Sequence, residues 1–270
     1  TSLFITEIAG KLMKGPHSAD RKLFEAQFFD HVKNLRLAAK ENGMDFDEFL
    51  GNFVVLADFS GSMVGVPMDT ACALALLVSS MSKGPFKDQF ISFESQPRFV
   101  SLKPGKDAAG RELPPLSLTE KAVKCANSPW GGSTNFESAH DLILAALTTH
   151  YVENRGSMSS NELNTLIRSM LPKAFLVVSD MQFDAAATNG YGSCSSHSKY
   201  LPMHDKLVEK YARKGMELTG KPFELPTMVY WNASPGQGSP VVSSTPGAVF
   251  VSGYSTNLFK TFMTSEIDGL

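Results

Sequence analysis

The sequence predicts an α/β fold: a doubly wound, mostly parallel sheet with one antiparallel edge strand and helices on both faces, preceded by a helical extension. Three observations carry this. From Phe53 onward, short apolar runs rich in β-branched residues alternate with longer amphipathic stretches, the pattern of successive βαβ units. Phe53-Val54-Val55-Leu56-Ala57 and Phe175-Leu176-Val177-Val178 are uninterrupted apolar runs, as expected of strands buried on both faces. Phe90-Ile91-Ser92-Phe93 and Arg98-Phe99-Val100-Ser101 flank Glu94-Ser95-Gln96-Pro97 as hairpin arms would, which supplies the antiparallel edge.

Two regions follow from the pattern, a helical extension over 1–50 and the α/β domain over 51–270. In the first, Phe24, Phe28, Phe29, Val32, Leu35 and Leu37 recur near helical spacing between Ser18-Ala19-Asp20, a cap, and Asn42-Gly43, a stop. This predicts one long helix with a shorter element before it. The stripe is wide enough to need burial, so the pair is expected to pack on the sheet domain. In the second region, strand 53–57 leads into an apolar helix over 67–81, and the hairpin follows. A helix over 118–126, a long helix from Thr134 to about Val152, a strand ending at Ser179, a helix over 203–213, strands over 227–231 and 248–251 and a last helix over 256–264 complete the set. The polar, Gly- and Ser-containing stretches 104–115, 153–161 and 188–198 read as loops, the last of them overhanging the edge that Asp180 marks.

Composition narrows the function classes. With 270 residues, 43% of them hydrophobic and 19% charged, the chain can bury a sizeable core. A net charge of −2 gives no global attraction to phosphate backbones. Three cysteines, Cys72, Cys125 and Cys194, form no C-x-x-C pair and point to a reducing, cytoplasmic setting. The longest apolar stretch, 71–78, is too short to cross a bilayer, and no membrane association is expected.

Chemistry concentrates where the first strand ends. Asp58-Phe59-Ser60-Gly61-Ser62 places an acid and two hydroxyls at the mouth of a βα unit, the edge where open α/β sheets bind ligands. Alternate residues of an extended loop point the same way, so Asp58, Ser60 and Ser62 can converge. Such oxygens suit a hard divalent cation. Two later segments repeat the theme: Gly131-Gly132-Ser133-Thr134-Asn135 opens the long helix, and Ser179-Asp180 closes the second buried strand.

Taken together, Asp58-x-Ser60-x-Ser62, Thr134 and Asp180 resemble the three-part metal-ion-dependent adhesion site (MIDAS) of von Willebrand factor A (VWA) domains. Pro226 to Asn232, Gly247 to Ser255 and Leu258-Phe259-Lys260 resemble more closely the A domain of Ro-autoantigen (TROVE) proteins. They look more similar still to a related domain-of-unknown-function family of plants, fungi and viruses, in which the run Asp180-Met181-Gln182-Phe183-Asp184 also recurs. The resemblance implies a Rossmann-like VWA fold. It implies a divalent cation, Mg²⁺ foremost with Mn²⁺ or Ca²⁺ as alternatives, held by Asp58, Ser60, Ser62, Thr134 and Asp180, with Asn135 and Asp184 as candidates for the surrounding shell. The partner implied is a protein that supplies a Glu or Asp carboxylate to the metal.

An enzyme is not expected. No G-x-S-x-G elbow surrounds Ser60 or Ser62, no His-x-x-x-His or His-Glu pair occurs among the six histidines, and neither G-x-G-x-x-G nor G-x-x-x-x-G-K-[ST] is present. A metal-dependent hydrolase is the lesser alternative. RNA association, as in Ro-like ribonucleoproteins, is the main one, with Lys206, Lys210, Arg213 and Lys214 the densest basic patch. Replacing Asp58 with Ala is expected to abolish metal-dependent binding and leave the fold intact.

Overall fold

A computed structural model describes residues 5–15, 17–129, 131, 135–180, 196–234 and 247–253. Along these residues run α1 (Ile5–Met13), α2 (Ser18–Glu41), α3 (Phe46–Gly51), β1 (Phe53–Ala57), α4 (Val66–Met81), β2 (Gln89–Ser92), β3 (Phe99–Ser101) and α5 (Leu118–Ala126). They are followed by α6 (Phe136–Asn154), α7 (Ser160–Met170), β4 (Ala174–Ser179), α8 (Ser196–Thr219), β5 (Thr227–Asn232) and β6 (Ala248–Ser252). The strands form one sheet in the order β3-β2-β1-β4-β5-β6. The β2–β3 pairing is antiparallel and the others are parallel, as the sequence predicts.

Every residue of β1 and β4 is buried, because each strand carries a helical layer on both faces. On one face Phe53, Val55 and Ala57 of β1, Leu176 and Val178 of β4 and Val229 and Trp231 of β5 pack with α1, α4 and α5. On the other, Val54, Leu56, Phe175, Val177, Met228 and Tyr230 pack with α6, α7 and α8. The period-two alternation of a strand thus divides one apolar run between two cores.

Ile5, Ile8, Ala9 and Leu12 of α1 are buried in the first core. Gly10 lets α1 lie close to α4, since a Cβ there would overlap the Asp69 carboxylate. In α2 only part of the expected stripe is covered: Phe28, Val32, Leu35 and Ala39 are buried, whereas Phe29 is 59% exposed and Leu23 and Leu37 are also exposed. The buried four follow i, i+4, i+7, i+11 spacing, and a residue one step along lies about 100° around the helix.

Other departures are local. The N-cap of α2 is His17, which makes no side-chain capping bond, so the cap read at 18–20 falls inside the helix. Two short helices were not anticipated. In α3 the Asp45 carboxylate accepts from the N–H groups of Asp47 and Glu48. In α7 a reciprocal capping box joins Ser159 and Glu162, so the polar stretch 153–161 is mostly the turn between two helices. Helix α8 is longer than 203–213 at both ends and begins within 188–198. The expected helix over 256–264 lies outside the described residues. No helix among the described residues is long and apolar enough to cross a membrane.

Candidate metal centre

Strand order determines where a ligand can enter. From β1 the chain moves outward to β2 and β3, then returns to β4 on the other flank of β1. Helix α4, which follows β1, packs in one core, and α8, which follows β4, packs in the other. The carboxyl ends of β1 and β4 therefore border a crevice at the topological switch point. Asp58 is the first residue beyond β1 and Asp180 the first beyond β4.

The loop after β1 is pinned from below. Phe59 and Met63 are buried, the Phe59 ring centroid lies 5.7 Å from that of Phe90, and the Met63 N–H donates to the Ser60 carbonyl at 3.0 Å. With these apolar anchors in the core, the intervening polar residues occupy the mouth. Asp58, only 2% exposed, accepts from the Ser60 N–H at 2.8 Å through Oδ1 and from the Ser179 hydroxyl at 2.9 Å through Oδ2. The Ser60 and Ser62 hydroxyls are 3.1 Å apart, with Ser62 the more exposed.

The second segment is fastened to the same edge. The Gly131 N–H donates to the Phe93 carbonyl at 3.1 Å, and Phe93 directly follows β2, the neighbour of β1. A Cβ on Gly131 would stand 3.4 Å from the Glu94 Cα, so a side chain would crowd this approach. Asn135 caps α6, its Oδ1 accepting from the Ser138 N–H at 3.1 Å; its side chain thus serves its own helix. Thr134 and Asp184 lie outside the described residues. Asp180 is buried.

Burial pushes the Asp58 carboxyl above the usual carboxylate range. Hydrogen bonds from Ser60 and Ser179 oppose that rise, and the nearby Asp180 carboxylate adds to it. No cation acts on Asp58 among the described residues. Asp58, with the Asp180 carboxylate near it and paired hydroxyls beside it, belongs to an oxygen-rich cluster, and such a donor set fits a hard divalent ion. Among the described residues no three of His, Cys, Asp and Glu gather into a metal-binding group, so the fit rests on two carboxylates and the hydroxyls.

Sequence reasoning gave no role to Ser179 or Asn232. Ser179 holds Asp58 across the β1–β4 pairing, and its signal was its place beside Asp180 at a strand end. Asn232 ends β5 in register with Ser179 and is 1% exposed. A polar residue closing an otherwise apolar strand was the available signal.

The fold and this edge define a Rossmann-like α/β domain that fits a VWA-type architecture. Within that class, the profile of the domain of unknown function DUF7788 matches residues 52–269, and the chain belongs to that family. It is 27% identical over 256 residues to the uncharacterized protein L728 of Acanthamoeba polyphaga mimivirus, a match covering 93% of this chain and 37% of that protein. The crystal structure of the Deinococcus radiodurans RO (RSR) protein is similar with a TM-score of 0.43 and 17% identity, covering 80% of this chain and 34% of that one. The chain thus spans about a third of the length of each of these relatives.

Proposed function

We propose that the chain is a non-enzymatic binding module that engages an acidic group of a protein partner through a divalent cation, Mg²⁺ foremost. Asp58, Ser60, Ser62, Thr134 and Asp180 would hold the ion. The supporting observation is the pair of buried, mutually repelling carboxylates at the switch point, with the Ser60 and Ser62 hydroxyls beside Asp58 and no described cation acting on it.

Within this reading the residues divide the work. Asp58 organises the site, because its two oxygens are engaged by Ser60 and Ser179. Ser62, exposed, and the buried Ser60 beside it offer neutral oxygens, and neutral ligands leave a bound cation under-neutralised. When bound, the cation supplies an electrophilic position for an anionic oxygen of the partner.

Capture of partners from a native lysate, with Mg²⁺ or with EDTA, on the wild-type chain and on Asp58→Asn tests this reading. Protein retained by the wild type only with Mg²⁺, and never by the variant, is the expected result. Equal retention in all four arms overturns it.

One observation favours a second reading, association with a nucleic acid. Lys22, Phe29, Lys33 and Lys40 are exposed on α2 at spacings that share one face, and the three lysines make no ion pair among the described residues. Recovery of RNA in the same eluates, insensitive to EDTA, would support that reading over the first.

A further inference from the structure

Asn232 carries an unpartnered donor beside the site. It closes β5 opposite Ser179, and Asp58 follows directly on the paired residues Ala57 and Val178. Asp58, Ser179 and Asn232 therefore form one row across adjacent strands at the carboxyl edge. All three extend the strand positions whose side chains enter the core of α6, α7 and α8. The Asn232 carboxamide is fixed in orientation, since Oδ1 accepts from the Ser234 N–H at 2.9 Å. Its Nδ2 is buried without a hydrogen-bond partner among the described residues. The neighbouring Ser179 hydroxyl is directed to Asp58.

A buried amide donor left without an acceptor is destabilising, so its retention calls for a function or a bound oxygen. Neighbouring strands stand about 4.8 Å apart. Asn232 is two strands from Asp58 and one from Ser179, so a cation held between the β1 and β4 ends stands roughly 5–7 Å from β5, a gap that a cation–oxygen bond of about 2.1 Å and an N–H···O bond of about 2.9 Å span when joined through one carboxyl carbon or phosphorus. Resting on the cation site proposed above, we infer that Asn232 is a ligand-positioning residue for a two-oxygen anion, a carboxylate or a phosphate. One oxygen of the anion meets the cation and the second accepts from Asn232 Nδ2. This explains why an amide, with a donor as well as an acceptor, stands in a row otherwise made of an acid and a hydroxyl.

Asn232→Asp is the informative variant, because it keeps an acceptor for the Ser234 N–H and replaces only the donor. Mn²⁺ uptake is read by electron paramagnetic resonance, and then acetate and inorganic phosphate are titrated separately into the Mn²⁺-loaded proteins. The wild type is expected to bind Mn²⁺ and one of the two anions, and the anion that binds identifies carboxylate or phosphate as the natural group. Asn232→Asp should bind Mn²⁺ at least as tightly while losing tenfold or more in affinity for that anion. Asn232→Gln, which restores a donor, should recover part of the loss. Unchanged anion binding in Asn232→Asp, or Mn²⁺ uptake by the wild type with no anion binding, overturns the role of Asn232 and leaves the cation site standing. Failure of the wild type to take up Mn²⁺ overturns both.

Discussion

Lowering the pH from 7 to 5 should weaken the fold through one side chain, His140. It is wholly buried on α6, its Nδ1 3.0 Å from the Tyr211 hydroxyl of α8 and its Nε2 without a hydrogen-bond partner among the described residues. The ring stands edge-on to Phe175 and Tyr211. Burial, with a smaller contribution from the Lys210 ammonium, pushes its pKa down to about 3, against about 6.5 for an unfolded histidine. The folded chain therefore holds the neutral ring, and the unfolded chain takes up the proton first. Stability from this site is complete above about pH 6.5 and is lost as pH falls toward 3, at about 1.4 kcal/mol per unit. Between pH 7 and 5 the loss is about 2 kcal/mol, or roughly 4–8 °C in Tm for a domain of this size.

Asp58 works in the opposite sense, because burial raises its carboxyl above the usual carboxylate range. Its raised carboxyl pKa means that stability increases as pH falls through the folded value. The prediction is therefore a difference between proteins. The double variant His140→Phe/Tyr211→Phe removes both polar partners and keeps the ring shapes, a change close to neutral at pH 7. Urea unfolding followed by tryptophan fluorescence at pH 7, 6 and 5 should show the double variant gaining about 2 kcal/mol on the wild type across the series. Tyr211→Phe alone keeps the titrating ring and should retain the acid slope. If the wild type and the double variant run parallel from pH 7 to 5, His140 is not the buried neutral base described.

The remaining expectations use thermal or urea unfolding. The structure alters the outlook for Asp58→Ala: it would strand the Ser60 N–H and the Ser179 hydroxyl at roughly 1–3 kcal/mol each, partly offset by loss of the buried charge, so the fold should weaken. Asp58→Asn keeps an acceptor and is the cleaner probe. Mg²⁺ at a hundredfold its Kd should stabilise the wild type by about 2.7 kcal/mol, raising Tm by roughly 5–10 °C, and should leave Asp58→Asn unmoved; equal gains would refute the site. Gly215→Ala places a Cβ into the backbone at Lys221 to Phe223, so a loss of at least about 1–3 kcal/mol is expected, and an unchanged Tm would mean that α8 can shift freely there. Ser117→Ala removes the capping box of α5 and should lower the urea midpoint by the equivalent of about 1 kcal/mol with the slope unchanged.

Strands were more legible than helix ends because burial on both faces writes itself as an unbroken apolar run, and β1 and β4 have one. The hairpin was legible from its two arms, and α5 from its amphipathic period. Helices α3 and α7 were missed for a different reason. Each is short, and its start is marked by a capping residue, Asp45 or Ser159, within a polar stretch that looks like loop. Phe29 shows the limit of reading a stripe: on α2 the docking angle chose the 28-32-35-39 row, and no propensity in the sequence distinguishes that row from one beginning at Phe29. At the candidate site the sequence marked the oxygen donors, since Asp58, Ser60, Ser62 and Asp180 sit in recognisable positions along the chain. Ser179 and Asn232 stayed hidden because their significance depends on cross-strand register, which pairs residues distant in sequence.

On the proposed reading, the same edge sets the sign of ligand binding. Without a cation, the switch point offers an incoming acid two carboxylates, with Asp58 held low and Ser62 outermost, and no compensating charge on Asp58 among the described residues. On that reading, the Asp58 carboxylate then opposes the approach of the acidic group proposed as the ligand. A divalent ion at the proposed site would offset the carboxylates, the serine hydroxyls would add no further negative charge, and an anionic oxygen would become a favourable neighbour. Cation dependence of acidic-group binding should accordingly be a reversal and not a modest gain. Replacing Asp180 with Asn would separate this electrostatic gate from simple ligand loss: with one acid removed, residual anion binding in EDTA should rise even as Mg²⁺ affinity falls. A parallel decline in both would show that the two carboxylates act only as metal ligands.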